Sequence, residues 1–171
     1  MGRTSATKMI RAAKTGIAVA LLAVAGGTAT GNTDPARPWN EFLGSWQGDG
    51  SAQVAAGTNE KIRCRVSYQV TGAASQVSQS IRCATTSDQI QVSATLRSVG
   101  GRVSGTWHDQ RKGTDGSVTG TLADNDLDVV MFGGGQSASV SISVADCRQT
   151  IRMQSQSTEI RSLSLVLAKQ C

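Results

Sequence analysis

Residues 61–84, KIRCRVSYQVTGAASQVSQSIRCA, decide the fold. Folding this stretch at Ala73-Ala74 places Cys64 opposite Cys83. Val66 then faces Ile81, Tyr68 faces Gln79 and Val70 faces Val77. Side chains alternate along a strand, so these pairs share one face. The other face pairs Arg65 with Arg82, Ser67 with Ser80 and Gln69 with Ser78. One register supplies an apolar face, a polar face and a cystine position, and a slip of one residue removes all three.

The same test applies at the C-terminus. Setting Cys147 opposite Cys171 brings Ile151 against Leu167, Met153 against Leu165 and Ser155 against Leu163, with a turn near Thr158-Glu159. The cystine again falls on the apolar side. Cys64–Cys83 and Cys147–Cys171 are therefore the expected disulfides. Each would close a loop of about 20 residues and contribute about 3 kcal/mol in the chain-entropy model. No C-x-x-C pair is present and His108 is the single histidine, so a metal site is not expected.

The cysteines agree with the leader. Arg3, Lys8, Arg11 and Lys14 precede an uncharged apolar run, Ile17–Ala25, that ends in Ala23-Val24-Ala25. This is the order of a secretory signal peptide cleaved near Ala25, and the run is short of the roughly 20 residues that a membrane span needs. The expected organisation is a signal peptide over 1–25, a polar linker over 26–38 and one domain over 39–171. Export to an oxidising compartment, a bacterial periplasm or the medium, makes disulfides the default. The formal charge of +5 is largely the leader's: without its four cations, the 17 basic residues fall to thirteen, against 12 acidic ones. Nucleic-acid binding through a basic surface loses its main support.

Pro38–Leu43 predicts one short helical turn, with Pro at a first helical position. Beyond it the apolar residues recur at period two. Trp46, Ala52 and Val54 mark a first strand from Ser45. After the opening hairpin, Ile90 to Leu96 mark another, and Gly100-Gly101 is a hairpin signal. Val103 to Trp107 follow, then a turn at Lys112–Gly116, a short strand through Val118 and Leu122, and a turn at Asp124–Asp126. Leu127, Val129 and Met131 run into Gly133-Gly134-Gly135. Ala138 to Val144 alternate with four serines, and the C-terminal hairpin closes the chain. About ten short strands with tight connections read as an all-β antiparallel meander. Closing it into an up-and-down barrel of about 8–10 strands removes the sheet edges, and a sandwich is the alternative.

Phe42-Leu43-Gly44-Ser45-Trp46 resembles the F-x-G-x-W opening of calycins: lipocalins, fatty-acid-binding proteins, avidins and nitrobindin-like proteins. Trp46–Gly50 is most similar to the nitrobindin-like opening. The resemblance implies a closed antiparallel barrel of eight or ten strands. It also implies a structural role for Trp46, at the closed end beneath a late basic residue, for which Arg161 and Lys169 are the candidates. The helical pair of fatty-acid-binding proteins has no counterpart here. The late histidine that binds haem in nitrobindin-like proteins is missing, because His108 lies mid-chain. No cofactor is expected.

Small inward residues leave room inside such a barrel. Tyr68, Trp107, Met131 and Met153 share the inward parity and are the candidate ligand-binding residues. Arg63, Arg65 and Arg82 share the outer face of the first hairpin, where opposed like charges invite an anion, either a neighbouring carboxylate or an envelope component. His108 precedes Asp109, yet parity points it outward, and neither a G-x-S-x-G elbow nor a spare cysteine accompanies it. Asp124, Asp126 and Asp128 have the spacing of calcium-loop ligands but lack that loop's glycine and distal glutamate. No catalytic residue is assigned. The expectation is a non-catalytic barrel for a small hydrophobic or amphipathic ligand. The alternative is an envelope interaction or structural protein, such as an inhibitor-like barrel, with a filled core.

Overall fold

The structure, a computed structural model, describes residues 38–55, 57–73, 75–156 and 159–170. The expected signal peptide, the linker as far as Arg37, and Cys171 lie outside them. A single turn of 3-10 helix (Asn40–Phe42) leads into ten strands: β1 (Gly44–Val54), β2 (Asn59–Val70), β3 (Gln76–Ala84), β4 (Gln89–Val99), β5 (Arg102–Asp109), β6 (Thr114–Ala123), β7 (Asp126–Gly133), β8 (Gln136–Ala145), β9 (Arg148–Ser155) and β10 (Ile160–Ala168). Each pairs antiparallel with the next, and β1 pairs with β10, so the sheet is a closed up-and-down barrel.

The register of the opening hairpin is the expected one. Cys64 faces Cys83, Tyr68 faces Gln79, and on the outer side Arg65 faces Arg82. The Cys64–Cys83 disulfide is formed, with Cα atoms 4.1 Å apart. Inward positions are mostly apolar and outward ones are mostly Ser, Thr, Gln or Arg, the inverse of a barrel that faces lipid. No helix among the described residues is long and apolar enough to cross a membrane.

Two local expectations are corrected. In the C-terminal hairpin Ile151 faces Leu165 and Met153 faces Leu163, two residues away from the expected register. A shift of two keeps every side chain on its face, so the apolar pattern of β9 and β10 fits both registers. Both outer neighbours hold the hairpin in this register: Gly48 and Gly50 of β1 face Leu167 and Leu165 of β10, and Ile142 and Val140 of β8 face Ile151 and Met153 of β9. Cys147 is accordingly not a strand residue. It sits in the β8–β9 turn at φ 61° and is disulfide-bonded. The second correction is the turn placed at Lys112–Gly116. The chain reverses over residues 110–113, and Thr114 to Gly116 already belong to β6. Gly116 is there to admit a neighbour, not to turn: it faces Trp107, and a Cβ on it would run into the indole.

Alternation of strand direction gives the barrel two unlike ends. One holds the start of β1, the end of β10 and the turns at 71–75, 100–101, 124–125 and 146–147. The helical turn plugs this end with Trp39 and Phe42: Trp39 meets Phe42 edge to face, and Phe42 meets Tyr68 in the same way, each at 5.8 Å. Trp46 is 1% exposed beneath them and donates its Nε1–H to the Phe42 carbonyl at 2.7 Å. Lys169 lies over the Trp46 ring, with Nζ 4.5 Å from the centroid, and also donates to the carbonyls of Glu41 and Leu43. Of the two basic candidates the structure thus takes Lys169. Arg161 begins β10, roughly 25 Å away along the strand, and donates instead to the Gln156 carbonyl.

Breaking the first cystine tests how far it holds the register. Cys64→Ala with Cys83→Ala should lower unfolding free energy by about 3 kcal/mol, read from urea denaturation, while the far-ultraviolet spectrum stays that of a β protein.

Candidate functional site

The open end carries the other five connections, β1 to β2, β3 to β4, β5 to β6, β7 to β8 and β9 to β10. Below them the core is incomplete. A cavity of about 460 Å³ runs from these loops into the upper half of the barrel. Its walls are apolar side chains of β2 to β10, among them Val66, Ile81, Val92, Val129, Ile151 and Leu163. Polar groups are confined to its two ends. Gln79 lies at the floor, and Asp88, Gln89, Asp109, Lys112, Gln136 and Glu159 stand at the mouth.

Three of the four residues singled out for ligand contact line this cavity: Trp107, Met131 and Met153. Each lies late in a strand that runs towards the open end, and each is only half-buried. Trp107 lies flat along the wall. Gly116 on β6 and Gly133 on β7 continue its row, and a Cβ at either would collide with the indole. Its Nε1–H donates to the Phe132 carbonyl at 3.2 Å. The two glycines thus let a large aromatic ring leave the barrel hollow.

Tyr68 departs from the expectation. It points inward, but β2 runs towards the closed end, and Tyr68 is ten residues along it, outside the cavity lining. It is 1% exposed. Its hydroxyl oxygen accepts from the amides of Gln79 at 2.9 Å and Gln149 at 3.3 Å. Burial raises the phenol's pKa, and the two amide donors only partly offset that rise. Gln149 is wholly buried and its Oε1 has no partner. Tyr68 is thus a keystone beneath the cavity, and Gln79 links it to the floor.

On the outside, Arg63 pairs with Asp49 of β1 at 2.9 Å. Arg65 stands between Gln47 and Arg82, and Arg82 between Arg65 and Gln91, so neither of these two faces a carboxylate across the sheet. The carboxylate expected from a neighbouring strand reaches only Arg63. His108 is outward and bonds through Nδ1 to Asp115 at 2.8 Å, not to its neighbour Asp109. Ser93 stands opposite His108 in a trough of about 660 Å³ on the outer wall. That trough is open to solvent and hydroxyl-lined, and the surrounding amides are committed to the sheet ladders, so no pair of N–H groups is poised for an oxyanion. The smaller, apolar hollow is the better site. Among the described residues no cluster of three His, Cys, Asp or Glu side chains is placed to hold a metal, and Asp128 instead accepts from Ser141.

No protein-family model and no curated protein sequence matches this chain. Solved structures do. Rv2717c from M. tuberculosis superposes with a TM-score of 0.64 at 15% identity, over 81% of this chain and 100% of that one. The S-type phycobiliprotein lyase CPES from Guillardia theta gives 0.53 at 13% identity, over 78% and 91%. The fold is a calycin-like barrel. Identities this low establish shared architecture alone.

Removing the Tyr68 hydroxyl separates keystone from binding residue. Tyr68→Phe leaves the Gln79 and Gln149 amides without their acceptor and should cost about 1–3 kcal/mol of stability. Denaturation midpoints check the cost. Ligand titration on the folded variant should show unchanged affinity.

Proposed function

We propose that this chain is an exported, non-catalytic barrel that binds a small hydrophobic or amphipathic ligand in the cavity at its open end. The cavity itself carries the reading. Its volume, about 460 Å³, lies within the range of small-ligand sites, roughly 300–1,000 Å³. Its walls are apolar, it opens at the loop end, and polar groups gather where a ligand's head would emerge. Two methionines on the wall supply adaptable contacts, and the Trp107 indole supplies a broad one. The Cys64–Cys83 disulfide favours an oxidising compartment, in keeping with a periplasmic or secreted protein.

Native mass spectrometry of the protein purified from cells should show a co-purifying small molecule, or uptake of added decanol. Met153→Trp, which puts a large ring into the hollow, should weaken decanol binding at least about tenfold without altering the fold. Equal binding by this variant would place the ligand elsewhere.

A second reading has its own observation. Arg65 and Arg82 oppose each other on the outer wall with no carboxylate facing either. They would suit an anionic envelope component. Arg65→Glu with Arg82→Glu should then abolish retention on an anionic envelope polymer, and unchanged retention in that double variant removes this reading.

A further inference from the structure

The cavity's mouth has a charge pattern that its walls do not share. Lys112, in the β5–β6 turn, reaches Glu159, in the β9–β10 connection, with Nζ 2.7 Å from Oε2. Around the ring these connections are separated by four strands on one side and six on the other. The ion pair therefore bars the opening from nearly opposite sides. Asp109 and Asp88 stand at the same rim. Asp109 also caps its turn, its Oδ1 accepting from the amides of Arg111 and Lys112, and Asp88 accepts from the Gln89 amide. The nearby Arg111 guanidinium is turned to the Gln89 side chain at 3.0 Å. Three carboxylates thus line the mouth against the single ammonium of Lys112.

We propose that the ligand is an amphiphile with a cationic head, its ammonium taking the place of the Lys112 ammonium among Glu159, Asp109 and Asp88 while its tail fills the apolar cavity. This rests on the ligand-binding reading above and names the chemical class. Lys112 is the chain's own version of that head: an ammonium on an apolar stem, held across the mouth by a carboxylate. The Glu159 hydrogen bond, with the charges of Glu159, Asp109 and Asp88, raises the Lys112 pKa, so the rim stabilises a cation. The bar is also easy to displace. Its side chains are 51% and 71% exposed, and exposed ion pairs contribute little. An anionic head would find one ammonium at the rim, already held by Glu159, and would sit beside three carboxylates.

The test uses the full chain with its disulfides intact and three ligands of one tail length: decylammonium, decanol and decanoate, titrated by calorimetry at low salt. Decylammonium should bind at least about tenfold tighter than decanol, and decanoate more weakly than decanol. High salt should shrink the decylammonium advantage and spare decanol. Lys112→Met, which removes the internal competitor, should tighten decylammonium several-fold. Glu159→Gln should weaken it about tenfold with decanol unchanged. Decanoate binding as tightly as decylammonium overturns this inference and leaves the ligand-binding reading standing. Failure of all three ligands overturns both. The comparison among ligands on the unaltered chain needs no variant to fold.

Discussion

Pairing of β1 with β10 is the constraint from which the rest follows. Once the ring closes, no strand has a free edge, and every second residue of all ten strands is committed to one interior. A ring of ten strands encloses more space than Val, Ala and Gly can fill. Something large must enter, or part of the interior stays empty. Here both happen, at opposite ends. The helical turn carries Trp39 and Phe42 over one opening, where Phe42 meets Tyr68 edge to face and the Trp46 N–H bonds to the Phe42 carbonyl. Among the described residues nothing comparable enters from the other side, where the inward residues are mostly aliphatic, methionine and glycine and the one large ring, Trp107, belongs to the wall.

This asymmetry divides labour along the barrel axis. The plugged end is dry, aromatic and tied by side-chain bonds to backbone carbonyls, including those of Lys169 to Glu41 and Leu43. The open end has polar loops, half-buried apolar walls and charges that meet across the gap. Trp107 shows how a large residue serves the second end without closing it. Its ring is laid against the wall by two glycines on neighbouring strands. A side chain at position 116 or 133 would collide with the indole and with the backbone of the neighbouring strand, so the ring's place on the wall depends on what those positions lack.

Much of this is legible in the chain because β structure has a local rule. Alternation with period two separates inward from outward residues, and the first hairpin adds a cystine that forbids slippage. The same rule failed where it is degenerate. A two-residue slip in the β9–β10 hairpin preserves every face, so the pattern within the hairpin does not distinguish the registers and its neighbours β1 and β8 hold the one observed. Glycine misled at position 116, where the chemistry of a turn and of a close aromatic contact call for the same residue. Parity also named Tyr68 alongside Trp107, Met131 and Met153. It says which way a side chain points and nothing about depth, and depth depends on the direction in which each strand crosses the barrel.

The sequence by itself determined the strand faces, the first disulfide and the antiparallel meander, because these arise from residues close together along the chain; that β1 meets β10 to close the ring is a contact between its two ends. Only the tertiary structure decided which end is plugged, which basic residue covers Trp46, and that Lys112 meets Glu159 across the mouth. Those contacts join segments far apart in sequence. Their geometry is set by how many strands lie between them around the ring, and no local pattern of residues records that.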